Sequence, residues 1–118
     1  VFSSHVLEHM RNPLRAIKEW YSLVKEGGYL IITVPDEDLY EQGVFPSKWN
    51  RDHKWTFTMN KNNSWSVYSI NMVDIAKMLG GEIIRLEIQD NGYDHSLKGK
   101  DQTVGEALAQ IMLIVRKK

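Results

Sequence analysis

The chain has 118 residues, of which 42% are hydrophobic and 25% are charged, a composition that is ordinary for one small soluble domain. Fifteen basic residues balance fifteen acidic residues, so no net field concentrates polyanions around the chain, and we expect no nucleic-acid partner. The lack of cysteine excludes disulfides, thiolate catalysis and cysteine-bound metal, and it favours a reducing compartment, the cytoplasm.

Two further observations concern the setting of the chain. The longest apolar runs, residues 29–34 and 111–115, are far shorter than the ~20 residues that span a bilayer, so we expect no membrane segment. The sequence opens on Val1 rather than on methionine. We therefore expect it to be a segment of a longer protein.

The first three predicted elements form a β-α-β unit. Val1–Ser4 is interpreted as the end of a strand, and Asn12-Pro13 predicts a helix start, because asparagine caps free amides and proline at the first helical position loses no hydrogen bond. Gly27-Gly28 is expected to end this helix. Tyr29–Val34 is continuously apolar or β-branched, which is typical of a strand covered on both faces, and the crossover makes the two strands parallel. The helix should bury a stripe at steps of three and four, formed by Leu14, Ile17, Trp20, Tyr21, Leu23 and Val24.

The second half of the chain predicts one helix and two strands. Asn71 is the expected cap of a helix over Met72–Leu79, which Gly80-Gly81 closes. Apolar and polar residues alternate in the following strand, around residues 84–88, which indicates a sheet edge or one wetter face. Ile111–Val115 is apolar throughout, so we predict a central strand between the two preceding ones.

Two irregular segments, residues 36–69 and 90–106, follow the carboxyl ends of strands, where ligands bind in open α/β sheets. Within the first, residues 55–59 are predicted to form a small hairpin with residues 64–68. Packing of the aromatic side chains in this segment is favoured over stacking on a ligand, because a short hairpin must bury such groups. They are Tyr40, Phe45, Trp49, Trp55 and Trp65. Asp101–Thr103 is expected to be a polar turn, with the substrate mouth as its alternative setting.

Four features follow one another along the chain in a fixed order. They are a Leu-Glu-His turn within Ser3–Met10, an Asn-Pro helix start, the turn Glu26-Gly27-Gly28 and a strand ending in Val34-Pro35. This pattern resembles the type-11 branch of class I S-adenosylmethionine-dependent methyltransferases, with Glu26 where that family often has proline. The resemblance implies that the first two strands are the fourth and fifth of a seven-stranded sheet, and that the last two form an antiparallel hairpin with the final strand inserted. We therefore interpret residues 1–118 as the C-terminal half of a methyltransferase domain, a partial Rossmann-like α/β fold in which residues 36–69 are a substrate-side insertion.

The resemblance also implies a reaction, the transfer of a methyl group from S-adenosylmethionine to a small-molecule acceptor. Ser4, His5 and Val6 would border the methionine part of the cofactor. The family's Gly-x-Gly loop has no counterpart in the sequence, so this chain alone should bind the cofactor poorly and have little activity of its own. Residues 49–57 are similar to methyltransferases of sugar or surface-polysaccharide biosynthesis, which suggests a sugar-related acceptor.

His9 and His53 are the candidate catalytic residues. Methyl transfer is an in-line displacement, so the enzyme aligns the acceptor atom with the methyl group, and a base helps when that atom must lose a proton. His9 follows the cofactor-side strand, His53 sits in the loop expected to cover the pocket, and histidine titrates near neutral pH. The alternative is that each is a hydrogen-bonded structural residue.

Metal binding at this turn is a further alternative. His5-x-x-Glu8-His9 matches a zinc-peptidase pattern, but that pattern needs a continuous helix, and Asn12-Pro13 starts a new one. In small-RNA and quinone-pathway methyltransferases a Glu-x-x-Glu-His turn at this place binds a divalent ion. Here His5 replaces the first glutamate, although Glu8, His9 and His53 could still hold a transition ion. We predict no bound metal.

The alternative function is a non-catalytic binding or assembly module. If Val1–Ser4 lies at a sheet edge, its unpaired backbone groups favour pairing with a partner chain, most simply a second copy in a homodimer.

Overall fold

The computed structural model describes residues 1–59, 61, 63–97 and 99–118. Over these residues the chain forms six strands and two α-helices. The strands are β1 (Phe2–Ser4), β2 (Tyr29–Pro35), β3 (Thr56–Thr58), β4 (Ser69–Asn71), β5 (Glu82–Gln89) and β6 (Gln110–Arg116), and the helices are α1 (Pro13–Leu23) and α2 (Met72–Leu79). Four of the strands build one mixed sheet in the order β1-β2-β6-β5.

The predicted β-α-β unit is confirmed, because β1 and β2 pair in parallel on either side of α1 in the sequence. The side chain of Asn12 caps α1 by accepting a hydrogen bond from the amide of Arg15 (3.1 Å). The helix ends at Leu23, earlier than the glycine pair suggested. Leu14 and Leu23 were wrongly placed on the buried stripe, since they are 43% and 72% exposed. At about 100° per residue, Leu23 lies about 120° from Ile17 around the helix, and Leu14 lies about 60° from Ile17 on the side away from the buried Ala16.

The helix and the two strands predicted for the second half are also confirmed. Asn71 caps α2 by accepting from the amide of Val73 (2.9 Å), and Gly80 follows the helix in a left-handed conformation. The final strand β6 lies between β2 and β5 and is antiparallel to both. As expected, β5 is an edge strand, and a register shift between Ile83 and Arg85 leaves Ile84, which was expected beside the other apolar residues, half exposed.

The predicted hairpin in the insertion is wrong. β3 pairs with β4 in parallel, and the partner strand begins at Ser69, after the predicted segment 64–68. A buried carboxylate explains this pairing: Glu37 accepts hydrogen bonds from Thr56 Oγ1 (3.1 Å) and Ser69 Oγ (2.5 Å), and it pairs with Lys61 Nζ (2.8 Å). Asn60 and Asn62, in the predicted turn, lie outside the described residues.

The core and the sheet together fix where a ligand can bind. Ile17 on α1 and Ile75 on α2 belong to the same buried cluster as Leu30, Ile32 and Leu113 of the sheet. The carboxyl ends of β1 and β2 therefore point out of the core at the edge where β6 begins.

No helix in the described part of the chain is long and apolar enough to cross a membrane.

Candidate active site

A cavity of about 400 Å³ opens where β1 and β2 end. Its polar side chains come from four parts of the chain, which are the turn after β1, the insertion, the loop before β6 and the beginning of β6. The segment from Gly105 to Ala109 completes the wall beside Thr103. The polar side chains on this wall include His5, Glu8, His9, Tyr40, His53 and Gln110.

The turn after β1 brings Glu8 under the cavity. His5 adopts a left-handed conformation (φ 54°), which is uncommon for a residue with a side chain and redirects the backbone sharply. A 3₁₀ turn over Leu7–His9 follows, in which Glu8 is 1% exposed. The carbonyl of Glu8 accepts a hydrogen bond from the amide of Lys54 (2.6 Å). This bond fastens the insertion to the turn.

His53 lies between two buried carboxylates. Its Nδ1 donates to Oε1 of Glu41 (3.0 Å), while its Nε2 is 3.9 Å from Oε2 of Glu8. The imidazole is buried and stacks on the ring of Tyr40, with ring centres 5.2 Å apart. Both ring nitrogens therefore face an acidic group, and the orientation of the imidazole is fixed.

His9 is held from the other side of the cluster. Its Nδ1 donates to Oδ2 of Asp52 (2.9 Å), and its ring meets that of His53 edge to face with centres 4.8 Å apart. Hydrogen bonds from Lys54 and then from His9 lower the pKa of the exposed Asp52 carboxyl. The structure thus brings the two predicted catalytic residues together beside Glu8.

The three residues predicted to border the cofactor have different surroundings. His5 lines the cavity, its Nε2 donates to Oε1 of Gln110 (2.8 Å), and the neighbouring Glu8 raises its pKa. Ser4 and Val6 are absent from the cavity wall: Ser4 Oγ accepts from Thr33 Oγ1 (2.9 Å), and Val6 is exposed. A cofactor role for these three residues stays a prediction.

Two buried oxygen atoms of the cluster are unsatisfied. Neither Oε1 of Glu8 nor Oε2 of Glu41 has a hydrogen-bond partner among the described residues, although both side chains are about 1% exposed. A buried polar atom without a partner costs about 1–3 kcal/mol, and more when it is charged. Such atoms need an explanation, such as a bound ion.

The aromatic side chains of the insertion pack and hydrogen-bond within the protein. The indole of Trp49 donates to the carbonyl of Tyr40 (2.8 Å), and that of Trp55 donates to the carbonyl of Met10 (2.9 Å). Phe45 packs on Tyr68 with ring centres 5.0 Å apart. Of the aromatic residues singled out from the sequence, Tyr40 is the one that lines the cavity, so packing describes the group better than ligand stacking.

The polar turn predicted at Asp101–Thr103 is confirmed, whereas its place at a substrate mouth stays a prediction. Asp101 accepts hydrogen bonds from the amide (3.0 Å) and the hydroxyl (2.5 Å) of Thr103, as in a polar turn. Thr103 also lines the cavity. The turn is therefore both structural and part of the wall.

Glu41 and Gln110 were missed by sequence reasoning. Glu41 ends a short π-helical turn over Glu37–Glu41 inside an irregular segment, and no periodicity there shows which side chain is buried. Gln110 carried a usable signal in the sequence, because it directly precedes the predicted central strand Ile111–Val115. In the structure it pairs with Pro35 at the end of β2.

A mixed α/β sheet with a polar cavity at the carboxyl ends of its parallel strands is typical of an α/β ligand-binding or enzyme domain. Residues 1–79 match the family model described as a methyltransferase domain. The chain therefore belongs to this class I S-adenosylmethionine-dependent methyltransferase family, as its resemblance implied. No curated protein matches it.

Proteins of this family typically use S-adenosylmethionine, and the residues present fit this cofactor only in part. The end of β1 reaches the cavity through His5, as a cofactor-bordering strand would. The 118 residues contain no Gly-x-Gly sequence, the feature that lets a backbone approach a nucleotide closely. A glycine-rich loop that could hold the nucleotide is thus not among these 118 residues.

Proposed function

We propose that this chain forms the acceptor side of a cytoplasmic, S-adenosylmethionine-dependent methyltransferase that acts on a small molecule, and that residues other than these 118 supply the cofactor loop. The observation that carries this proposal is the meeting of His9, His53 and Glu8 in the cavity beyond β1. The family match over residues 1–79 supports methyl transfer as the reaction class.

The bound cofactor would supply an electrophilic methyl group, and the cavity residues would prepare the acceptor. An acceptor hydroxyl or amine must lose a proton as it is methylated, and an imidazole held in one orientation is suited to take that proton. Glu41 and Asp52 fix the rings of His53 and His9 through Nδ1. In each ring this leaves Nε2 as the nitrogen that can accept a proton.

The acceptor that the wall favours is rich in hydroxyl groups. Asn50, Thr103 and Gln110 add neutral donors and acceptors to the lining, which suits hydroxyl groups better than an apolar acceptor. Together with the similarity of residues 49–57 to methyltransferases of sugar biosynthesis, this makes sugars and surface-polysaccharide precursors the first acceptors to test.

Cofactor contact is tested by titrating the isotope-labelled 118-residue chain with S-adenosylhomocysteine and following its amide signals by NMR. We expect weak binding, with the largest shifts at Ser4, His5 and Val6 and none at Glu82–Ile84, where β5 begins. Shifts that avoid the end of β1 would contradict the assignment of the cofactor side. Micromolar affinity would contradict the need for a glycine-rich loop from elsewhere.

The chemistry is tested with the protein translated from the complete reading frame, by following labelled methyl groups into a panel of sugars, other alcohols and amines. The variants His9→Asn and His53→Asn should each lower the turnover of a substrate that is methylated, by about 10²–10⁴-fold if its imidazole is the base. His95→Asn is the matched control, since His95 pairs with Asp90 (2.8 Å) away from the cavity. Unchanged turnover in both site variants would remove the histidines from the chemistry.

A second candidate function is a non-catalytic assembly module. β1 pairs with β2 on one side, and no described strand lies on its other side. Phe2 is 67% exposed on this edge, with Val1 and Val6 also exposed nearby. An open edge with apolar side chains favours pairing with a second copy of the chain.

A further inference from the structure

We propose that Glu8, His9 and His53 bind a divalent transition-metal ion of the zinc type. One ligand atom from each side chain lies within 4.8 Å of the others. The three residues come from the turn after β1 and from the insertion, and the Glu8–Lys54 backbone bond joins these segments. This inference replaces the sequence-based expectation that no metal binds here.

The hydrogen bonds of the two histidines are those of metal ligands. Each imidazole donates from Nδ1 to a carboxylate, His53 to Glu41 and His9 to Asp52. Metal-bound histidines almost always donate their other ring nitrogen to a carboxylate, a carbonyl or water, because this fixes the ring and makes the ligand nitrogen more basic. Nε2 of both rings remains as the coordinating atom.

A bound cation would also compensate the charge of the buried cluster. Glu8 and Glu41 are both about 1% exposed, and the ion pairs that they form in the described part of the chain are with histidines. Oε1 of Glu8 has no hydrogen-bond partner there. Two carboxylates taken out of water are costly unless they are neutralised and coordinated, and a divalent ion at Glu8 would do both.

The ligand set selects the class of metal. Two imidazole nitrogens and one carboxylate oxygen suit zinc and similar transition ions, whereas magnesium and calcium prefer oxygen ligands. Catalytic zinc sites commonly have three protein ligands and an open fourth position, and here the cavity lies beside the cluster. Ligands at about 2.1 Å from a tetrahedral ion lie about 3.4 Å apart. The 3.9 Å between Glu8 Oε2 and His53 Nε2 must therefore shorten by about 0.5 Å, and the widest separation in the set, up to 4.8 Å, by as much as about 1.4 Å.

Such an ion would change how the acceptor is prepared. Bound to an acceptor hydroxyl, it would lower the pKa of that hydroxyl, and the histidines would act as ligands rather than as bases. This role rests on the proposed function, whereas the site itself does not. Metal binding can therefore fail while methyl transfer by a histidine base still holds.

The test uses the 118-residue chain without a histidine tag, after treatment with a chelator. We expect Co²⁺ to bind one ion per chain with the visible absorption of a low-symmetry site, and Zn²⁺ to displace it, while Mg²⁺ does not compete. Elemental analysis after dialysis against Zn²⁺ should give the same stoichiometry. The proposal is overturned if the wild-type chain retains no stoichiometric Zn²⁺ or Co²⁺.

Variants locate the ion. Glu8→Gln, His9→Asn and His53→Asn should each weaken Co²⁺ affinity by more than the about 10–100-fold that is typical when a group that only orients a ligand is lost, since each removes a ligand itself. His95→Asn should bind as the wild type does. Circular dichroism shows which variants fold. If the buried sites do not tolerate substitution, the half-buried His9 decides the question, and wild-type affinity in folded His9→Asn would place the ion elsewhere and refute the assignment.

Discussion

Nδ1 of His53 donates to Oε1 of Glu41 across 3.0 Å, in a contact from which solvent is excluded. Glu41 closes the π-helical turn after β2, whereas His53 precedes β3, so the contact joins two ends of one irregular segment. It also turns Nε2 of His53 towards Glu8. The carboxylate of Glu41 thus decides which nitrogen the cavity presents.

Glu41→Gln tests whether the negative charge of Glu41, rather than its hydrogen bond to His53, supports the bound ion. Glutamine keeps an oxygen that can accept from Nδ1 of His53 but loses the negative charge, so we expect the fold to survive and Co²⁺ affinity to fall about 10–100-fold. The measurement is a Co²⁺ titration together with the midpoint of thermal unfolding. Glu106→Gln, on the exposed rim of the same cavity, should change neither. Wild-type affinity in Glu41→Gln would show that this carboxylate does not support the ion.

Asp36 should make folding stability depend on pH. Burial raises the pKa of its carboxyl to about 6, above the ordinary value of 3.8. Between these two pH values the carboxyl is mostly protonated in the folded chain and mostly ionised in the unfolded chain. The contribution of Asp36 is therefore present below about pH 4 and is lost as the pH rises to about 6, a change on the order of 3 kcal/mol.

The variant Asp36→Asn should flatten this dependence. An asparagine oxygen can still accept from the amides of Asp38 and Leu39, as Asp36 does at 3.0 and 3.1 Å, but it does not titrate. Urea unfolding across this pH range measures the slope. Asp74→Asn, at an exposed position in α2, should keep the wild-type slope. An equally steep slope in Asp36→Asn would assign the pH dependence to other groups.

The elements that could be predicted are those encoded by nearby residues. Asn12 and Pro13 define the start of α1, and Asn71 with Gly80 defines both ends of α2, because caps and left-handed turns depend on a few adjacent positions. The position of β6 followed from its continuous apolar run. These features gave the order of the sheet and the edge at which the cavity lies.

The insertion was not predictable in this way. Glu37 selects the pairing of β3 with β4 by bonding Thr56 and Ser69, and neither partner is near it in sequence. Similarly, the burial of Glu41 depends on where His53 lies in the folded chain. His9 and His53 could be named from their residue type and from the segments that carry them, but the carboxylates that orient them could not.

Gly81 should tolerate no side chain. A Cβ at this position would lie 2.6 Å from Val115 Cγ1 and 2.7 Å from the backbone oxygen of Arg116, and a strand in the middle of a sheet cannot move aside. We expect Gly81→Ala to cost about 3 kcal/mol of unfolding free energy, the upper end for overpacking. Gly80→Ala, which meets no atom but has φ +72°, should cost about 1 kcal/mol. Chemical denaturation compares the two, and an equal loss would contradict the packing argument.

Phe2 should govern self-association through the edge of β1. It is 67% exposed on a strand that has a described neighbour only at β2, so a second copy could extend the sheet and cover the ring. We expect the wild-type chain to dimerise with increasing concentration in light scattering after gel filtration, and Phe2→Glu to remain monomeric, because a charge at the pairing edge opposes its burial. Leu23→Glu, which changes a 72% exposed leucine at the end of α1, controls for a general loss of apolar surface and should still dimerise. If the wild type stays monomeric at high concentration, or if both variants dissociate equally, β1 is not the pairing edge and the assembly alternative loses its support.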